Sequence, residues 1–440
     1  MGETIKLRTT GDVPAYRAGL VAVLDVGSSK TVCLIGRAEP GALRVVGAAL
    51  RESQGVRAGT IVGLEHAEES IRDAVAAAEN HADMRIQNVL ISVNCGQPVS
   101  VTAKAAMALD GELISDAILR YLLSEGRSRC QLEGHELIQI APTTYVVDEA
   151  RGVKNPHGMF CQRIGVAMHA VAVKPSPLNN LKLAVERCHL NVVGAQFGAF
   201  ASGLSTLTED EKQLGATVID MGGGVTSIAV FLEGHLVHAD VVPMGGQQVT
   251  ADLARMLATP LSAAERIKTL YGAAFGDMES GAEVISVPQM GEDAASAPVA
   301  RSHYAAGGSD EAMQIPRSML TRIIQARMEE ILTQVQTRLR ASGYDVAAGR
   351  RAVLTGGACQ LTGTRELAGR ILNKQVRIGR PQSFPGLPAA SLGPDYATAI
   401  GLLMAGATLP PEVLNPENAR EAPSDKGRGW LARLTGSLFE

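Results

Sequence analysis

Two stretches far apart in the chain share one order of residues. Val23-Leu24-Asp25-Val26-Gly27 and Val218-Ile219-Asp220-Met221-Gly222 each run aliphatic residues into an aspartate, one apolar residue and a glycine, and each leads into a second strand-like run. Strand, glycine turn, strand is a hairpin signature, and two such units can face each other across a cleft. A glycine turn leaves backbone N–H groups uncovered, so successive amides can converge on a phosphate oxygen. Mg²⁺ keeps most of its waters and takes one or two carboxylates plus phosphates. Asp25 and Asp220 could therefore hold hydrated Mg²⁺ on a nucleotide, with Lys30 as a point charge to the same phosphates.

Either turn alone is an ordinary hairpin feature; the pair is made specific by a third glycine turn, Leu354-Thr355-Gly356-Gly357-Ala358. No GxxxxGK[ST] occurs, which excludes a P-loop. His235 and His238 lie three apart on a strand-like run, on opposite faces, so they do not suggest a shared metal.

The order of elements is meander, helix, strand, and then the same again. Strands are expected at Leu20 to Leu24, Thr31 to Ile35, Val45 to Leu50 and Val89 to Val93, with a helix over Leu64 to Glu79. Between them and the restart at Leu178, residues 97–174 read as a small α+β insertion. It has strands at Val99 to Ala108, Leu137 to Ile140, Tyr145 to Val147 and Val166 to Val173, and a helix opening at Ser115. Further on, Pro260 to Tyr271, Arg317 to Leu339 and Arg365 to Leu372 read as helices, and Val284 to Val287, Ala352 to Thr355 and Gln375 to Ile378 as strands. Four prolines between Leu409 and Lys426 argue against regular structure there, so the folded body should stop near Gly406.

With 440 residues, the chain is long enough for about two to four folded units. Its formal net charge of −4 supplies no global basic field toward nucleic acid. Six scattered cysteines without a CxxC pair favour reduced thiols. No apolar run approaches the roughly 20 residues that span a bilayer.

With the three turns in view, the chain resembles the actin, sugar-kinase and heat-shock ATPase superfamily, and within it the FtsA family of bacterial cell-division proteins. DVGSSKT at Asp25, IDMGGGVTSIAVF at Ile219, LTEDEKQLG at Leu207, AERIK at Ala264, LTGGACQLTG at Leu354 and VRIGRP at Val376 carry the resemblance over nearly the whole chain. It implies an α/β, actin-like (ribonuclease H-like) two-lobed fold with an inserted α+β subdomain. Residues 1–19 would be a leader, 20–96 and 175–205 the first lobe, 97–174 the insertion, and 206–406 the second lobe with a smaller subdomain about 245–340. A linker over 407–426 and a terminal helix over 427–440 would follow. The implied ligands are ATP and Mg²⁺. Asp25, Gly27, Ser28, Ser29 and Lys30 match the first phosphate motif, Asp220, Gly222, Gly223 and Gly224 the second, and Gly356, Gly357 and Ala358 the adenosine motif. Glu265 and Lys268 match positions that line the ribose and adenine. The chain departs from the family at Val225 and Ser227, which replace a hydroxyl and an acidic residue, so weak hydrolysis is expected.

The resemblance also implies filaments, a membrane-tethered FtsZ ring at the division site on the cytoplasmic face of the inner membrane, and recruitment of later division proteins through the insertion. Arg317 and Arg327 match basic positions that receive the FtsZ C-terminal tail. At helical spacing Trp430, Leu431, Leu434 and Leu438 share a face, with Arg433 off it and Phe439 beyond, which suits a short helix on an anionic membrane surface. The alternatives are a small-molecule kinase of the same superfamily and an actin-like scaffold of pilus assembly.

Overall fold

A computed structural model describes residues 18–276, 283–288 and 313–416. The first lobe opens with β1 (Gly19–Val26), β2 (Lys30–Glu39) and β3 (Ala42–Glu52), a meander of antiparallel strands. A two-residue hairpin, β4 (Val56–Arg57) and β5 (Thr60–Ile61), leads to α1 (Leu64–Ala82) and β6 (Asn88–Val93), which lies parallel to β1. The α1 residues Ile71, Ala74, Val75 and Ala78 are all buried, so the helical spacing read from sequence is the face that meets the sheet.

The chain then leaves this sheet to form β7 (Val99–Ala108), α2 (Asp116–Arg129), β8 (Glu136–Val147), β9 (Ala150–Val153) and β10 (Arg163–Val173), a separate sheet ordered β7-β10-β8-β9 with its own core around Leu122 and Ile164. The sequence splits β8 into two strands at Pro142; the structure keeps one. Its register with β10 slips beside Pro142, between Ala167 and Met168, and β9 pairs only from Tyr145 onward. A proline lacks the ladder donor, and a bulge on a stretch with one free side tolerates that loss.

Returning, α3 (Pro175–Glu186) and β11 (Asn191–Phe197) complete the first sheet, and α4 (Gly198–Thr206) and α5 (Glu209–Leu214) cross to the second lobe. There β12 (Ala216–Met221), β13 (Thr226–Leu232), β14 (His235–Val242), α6 (Gly246–Met256), α7 (Leu261–Tyr271), β15 (Val284–Val287), β16 (Met313–Pro316), α8 (Arg317–Ala341), α9 (Tyr344–Ala347), β17 (Arg351–Thr355), α10 (Thr364–Leu372) and β18 (Gln375–Ile378) follow. The repeat seen in the sequence is a repeat of topology. One sheet reads β3-β2-β1-β6-β11 and the other β14-β13-β12-β17-β18, each an antiparallel meander joined to two parallel strands.

The last described helices, α11 (Ala397–Thr408) and α12 (Pro411–Leu414), revise one expectation. The body does not stop near Gly406, and part of the proline-rich stretch is helical. Pro411 opens α12, where a missing N–H costs nothing, and Gln196 Nε2 donates to the Val413 and Leu414 carbonyls at 3.1 and 3.3 Å.

α4 and α11 pack against each other closely, since a Cβ on Gly401 would overlap the Ala201 carbonyl, and α4 packs as closely on β13, where a Cβ on Gly203 would overlap the Phe231 ring. Gly401→Ala should therefore cost about 1–3 kcal/mol by overpacking. Gly369→Ala, inside α10 with only ordinary contacts around it, should instead stabilise by up to about 1 kcal/mol through helix propensity. Calorimetric melting of the two variants checks the contrast; equal behaviour would show that the α4–α11 joint is not tight.

A cavity closed by two glycine turns

The two hairpin turns meet. In each, the glycine after the aspartate-bearing strand donates its N–H across the turn, Gly27 to Lys30 O and Gly222 to Val225 O, both at 2.9 Å. A Cβ on Gly223 would overlap Ser29 Oγ, and one on Gly224 would overlap Ser28 Oγ and come within 2.9 Å of Ala58 N. Only glycine lets the turns approach so closely. Gln247 Nε2 donates to Ser28 O at 2.9 Å, and the Gly246 and Gln247 amides donate to the Gly222 and Gly223 carbonyls at 3.0 and 2.7 Å. Gly59, at the tip of the β4–β5 hairpin, donates its N–H to Ser28 Oγ at 3.0 Å.

Behind the turns lies a cavity of about 540 Å³. Its wall includes Asp25, Gly27, Ser28, Ser29, Lys30, Asp220, Gly222, Gly223, Gly224, Glu265, Lys268, Gly356, Gly357 and Ala358, which brings together the residues singled out from the three sequence turns and from α7. Backbone amides at bare turns, ammonium groups and strand-tip carboxylates form the donor set that a phosphate chain with its cation requires, and the glycine cradle leaves room for one.

The carboxylates are held by hydroxyls that sequence motifs do not reveal. Asp25 Oδ1 accepts from Ser92 Oγ at 2.5 Å; Asp220 Oδ2 accepts from Ser202 Oγ at 2.5 Å and Thr398 Oγ1 at 2.8 Å. Burial raises the Asp25 pKa to about 6, opposed by the Ser92 hydrogen bond and helped by the negative charge of Asp220. Burial also raises Asp220, against the Ser202 and Thr398 hydrogen bonds. Lys30 Nζ binds Asp395 Oδ2 at 2.6 Å and sits 4.8 Å from the Tyr396 ring centroid.

On the far wall Lys268 Nζ binds Glu265 Oε2 at 2.6 Å, Thr250 Oγ1 at 2.8 Å and Gly246 O at 3.3 Å, and Thr250 also donates to Glu265. Gly356 adopts φ +83°, and a Cβ there would overlap Asp220 Oδ1. At the second turn Val225 and Ser227 line the cavity, with Ser227 Oγ donating to Asn94 Oδ1 at 2.9 Å, whereas Thr226 turns away and donates to Met244 O at 2.8 Å. Thr226 therefore does not replace the hydroxyl that Val225 lacks.

Elsewhere, Arg317 binds Glu283 Oε2 at 2.9 Å and Tyr271 O at 3.1 Å. Arg327 binds Asp252 with two nitrogens, at 2.6 and 3.1 Å, and also pairs with Glu330. His238 stacks on Tyr344, centroids 6.0 Å apart. Trp430, Leu431, Arg433, Leu434, Leu438 and Phe439 lie outside the described residues.

Comparison with known proteins adds to this geometry. A sequence model described as "Cell division protein FtsA" matches residues 217–401, and one described as "SHS2 domain inserted in FTSA" matches residues 96–172. The chain is 38% identical over 435 residues to the cell division protein FtsA of Agrobacterium fabrum, covering 96% of this chain and 95% of that one. It is 40% identical over 403 residues to that of Rhizobium meliloti (89% and 88% covered) and 33% identical over 431 residues to that of Escherichia coli K12 (95% and 97%). Among solved structures, a PilM-PilN type IV pilus biogenesis complex is similar with a TM-score of 0.59 at 15% identity, covering 88% of this chain and 98% of that one. MreB5 of Spiroplasma citri bound to ADP has a TM-score of 0.51 at 12% identity, covering 86% and 94%. At such identities the solved structures speak to an actin-like fold alone.

The raised Asp25 pKa has a testable sign. Its contribution to stability is intact below the ordinary value of 3.8 and is lost as pH rises through about 6. Asp25→Asn, which still accepts from Ser92, should be more stable than the parent at pH 7.5 by up to about 3 kcal/mol, with the advantage vanishing near pH 4. Melting curves across that range measure the difference; an Asn variant less stable at pH 7.5 would refute the burial penalty.

Proposed function

The chain belongs to the FtsA family of cell-division proteins, and on that premise we propose that it binds ATP and Mg²⁺ in the interlobe cavity, polymerises, and tethers the FtsZ ring to the cytoplasmic membrane. The observation that carries the nucleotide reading is the meeting of the turns at Gly223–Ser29 and Gly224–Ser28, one turn from each lobe, over a shared cavity. Amides of Gly27 to Ser29 and Gly222 to Gly224 would bind phosphates, and Asp25 and Asp220 would hold Mg²⁺ through its waters. Gly356 to Ala358, Glu265 and Lys268 would hold the nucleoside. Bound Mg²⁺ supplies positive charge against the phosphates. With Val225 and Ser227 at the second turn, hydrolysis is weak at most.

The insertion over 97–174 would serve filament contacts and later division proteins. The segment from Trp430 to Phe439 would lie on an anionic membrane; one short helix binds lipid weakly, and polymerisation makes attachment firm by linking several. Lipid binding should follow the tail: in liposome co-sedimentation the chain should pellet, more so with ATP, and a chain lacking residues 429–440 should stay in the supernatant. Equal pelleting would remove the anchor.

Arg317 and Arg327 would receive the FtsZ C-terminal tail. Both are already in ion pairs, so an acidic peptide must exchange with Glu283 and Glu330, the more exposed of their partners. Arg317→Glu with Arg327→Glu should weaken binding of an FtsZ tail peptide roughly tenfold or more in fluorescence anisotropy. Unchanged affinity would place the peptide elsewhere.

A further inference from the structure

Resting on the nucleotide reading above, we propose that Asp395 is a specificity-determining residue of the cleft. It competes with nucleotide phosphates for Lys30 and so makes the cavity select metal-bound nucleotide over the free polyanion. Among the described residues, the cavity wall carries four carboxylates, Asp25, Asp220, Glu265 and Asp395, against two ammonium groups, Lys30 and Lys268. Neither ammonium is uncommitted: Lys268 is bound to Glu265, Thr250 and Gly246 O, and Lys30 to Asp395 at 2.6 Å. Asp395 itself is anchored, with Gln360 Nε2 donating to its other oxygen at 3.4 Å and Tyr396 beside it under the Lys30 ammonium.

The pair has little structural work. Its side chains are 23% and 25% exposed, and ion pairs open to solvent contribute little to stability. Its electrostatic effect on a ligand is larger. An entering triphosphate meets, among the described residues, a wall of net negative charge on which Lys30, the cation beside the glycine turns, is already paired. Asp25 and Asp220 would hold a divalent cation that supplies positive charge against the phosphates, and with either form of the nucleotide Lys30 would shift to a phosphate oxygen and leave Asp395 without its partner. The Asp395 charge left behind repels a free nucleotide more strongly than one whose phosphate charge a divalent cation has partly cancelled, so the disadvantage falls mainly on the metal-free ligand.

The test compares affinities of the full chain for a fluorescent ATP analogue, by anisotropy, with Mg²⁺ and with EDTA. Asp395→Asn should tighten metal-free binding by about tenfold while changing the Mg²⁺-bound affinity by less than about threefold, so the ratio between the two falls. Asp395→Glu, which keeps the charge, should retain the parent ratio. A ratio unchanged in Asp395→Asn, whether both affinities stay or both weaken together as a structural defect would make them, overturns the proposal while leaving nucleotide binding intact. Absence of nucleotide binding by the unmodified chain overturns the nucleotide reading and this inference with it.

Discussion

A buried carboxylate has to be surrounded by donors, and in this molecule that requirement organises the middle of the fold. Asp220 is 8% exposed at the end of β12 and takes hydrogen bonds from Ser202 on α4 and Thr398 on α11, whose hydroxyl oxygens lie 2.9 Å apart. Both hydroxyls can reach one oxygen only if the helices run nearly in contact, and the bare Cα of Gly401 against Ala201 permits that approach. The same pair of helices lies between the sheets: α11 covers Val23, Leu34 and Leu90 of the first, and α4 packs on β12 and β13 of the second. Holding one charge therefore fixes the spacing of the two lobes, and that spacing brings the glycine turns together.

Much of the fold around this centre is legible in the sequence, for a physical reason. Strands with period two, turns that need glycine, and amphipathic helices such as α8, whose Leu320, Ile323, Ile324, Ile331, Leu332, Val335 and Leu339 are all buried, write their environment into adjacent residues. The topological repeat is visible because each copy carries its own aspartate and glycine. α4 and α11 were missed because Gly-Ala-Phe-Ala-Ser-Gly-Leu-Ser-Thr and Ala-Thr-Ala-Ile-Gly-Leu-Leu-Met are small or apolar all round, as a helix buried on every side must be, and periodicity vanishes. Ser92, Asn94, Ser202, Asp395 and Thr398 were missed because each is a lone residue whose partner lies elsewhere in the chain; Lys30 and Asp395 are 365 positions apart. No local pattern records such pairs.

One motif gains its explanation only from the folded chain. Arg377, in the run Val376 to Pro381, binds both oxygens of Glu211 at 2.8 and 2.5 Å and Thr206 O at 2.7 Å, while Glu211 closes a capping box with Thr208 at the start of α5. Two quoted stretches with no evident chemistry are thus one joint, tying the last strand of the second sheet to the crossing between lobes. The hydrogen bonds from Arg377 hold the Glu211 carboxyl below its ordinary range, so the joint stays charged at neutral pH.

The insertion touches both lobes. It springs from the first lobe, yet its edge strand β7 meets the edge strand β14 of the second: Ser100 Oγ receives the Ala239 N–H at 2.7 Å and lies 3.2 Å from the Ala239 carbonyl. On its other side, the Gln139 side chain in β8 accepts from Phe197 N at 3.4 Å, and α12 packs against both β8 and β11. Relative movement of the two lobes must therefore load the insertion through β7 and β14. Movement of the chain's last described helix must load it through β8. The second lobe's sheet, the insertion and the root of the C-terminal segment are thus joined by hydrogen bonds and packed strands, with the insertion in contact with both of the others.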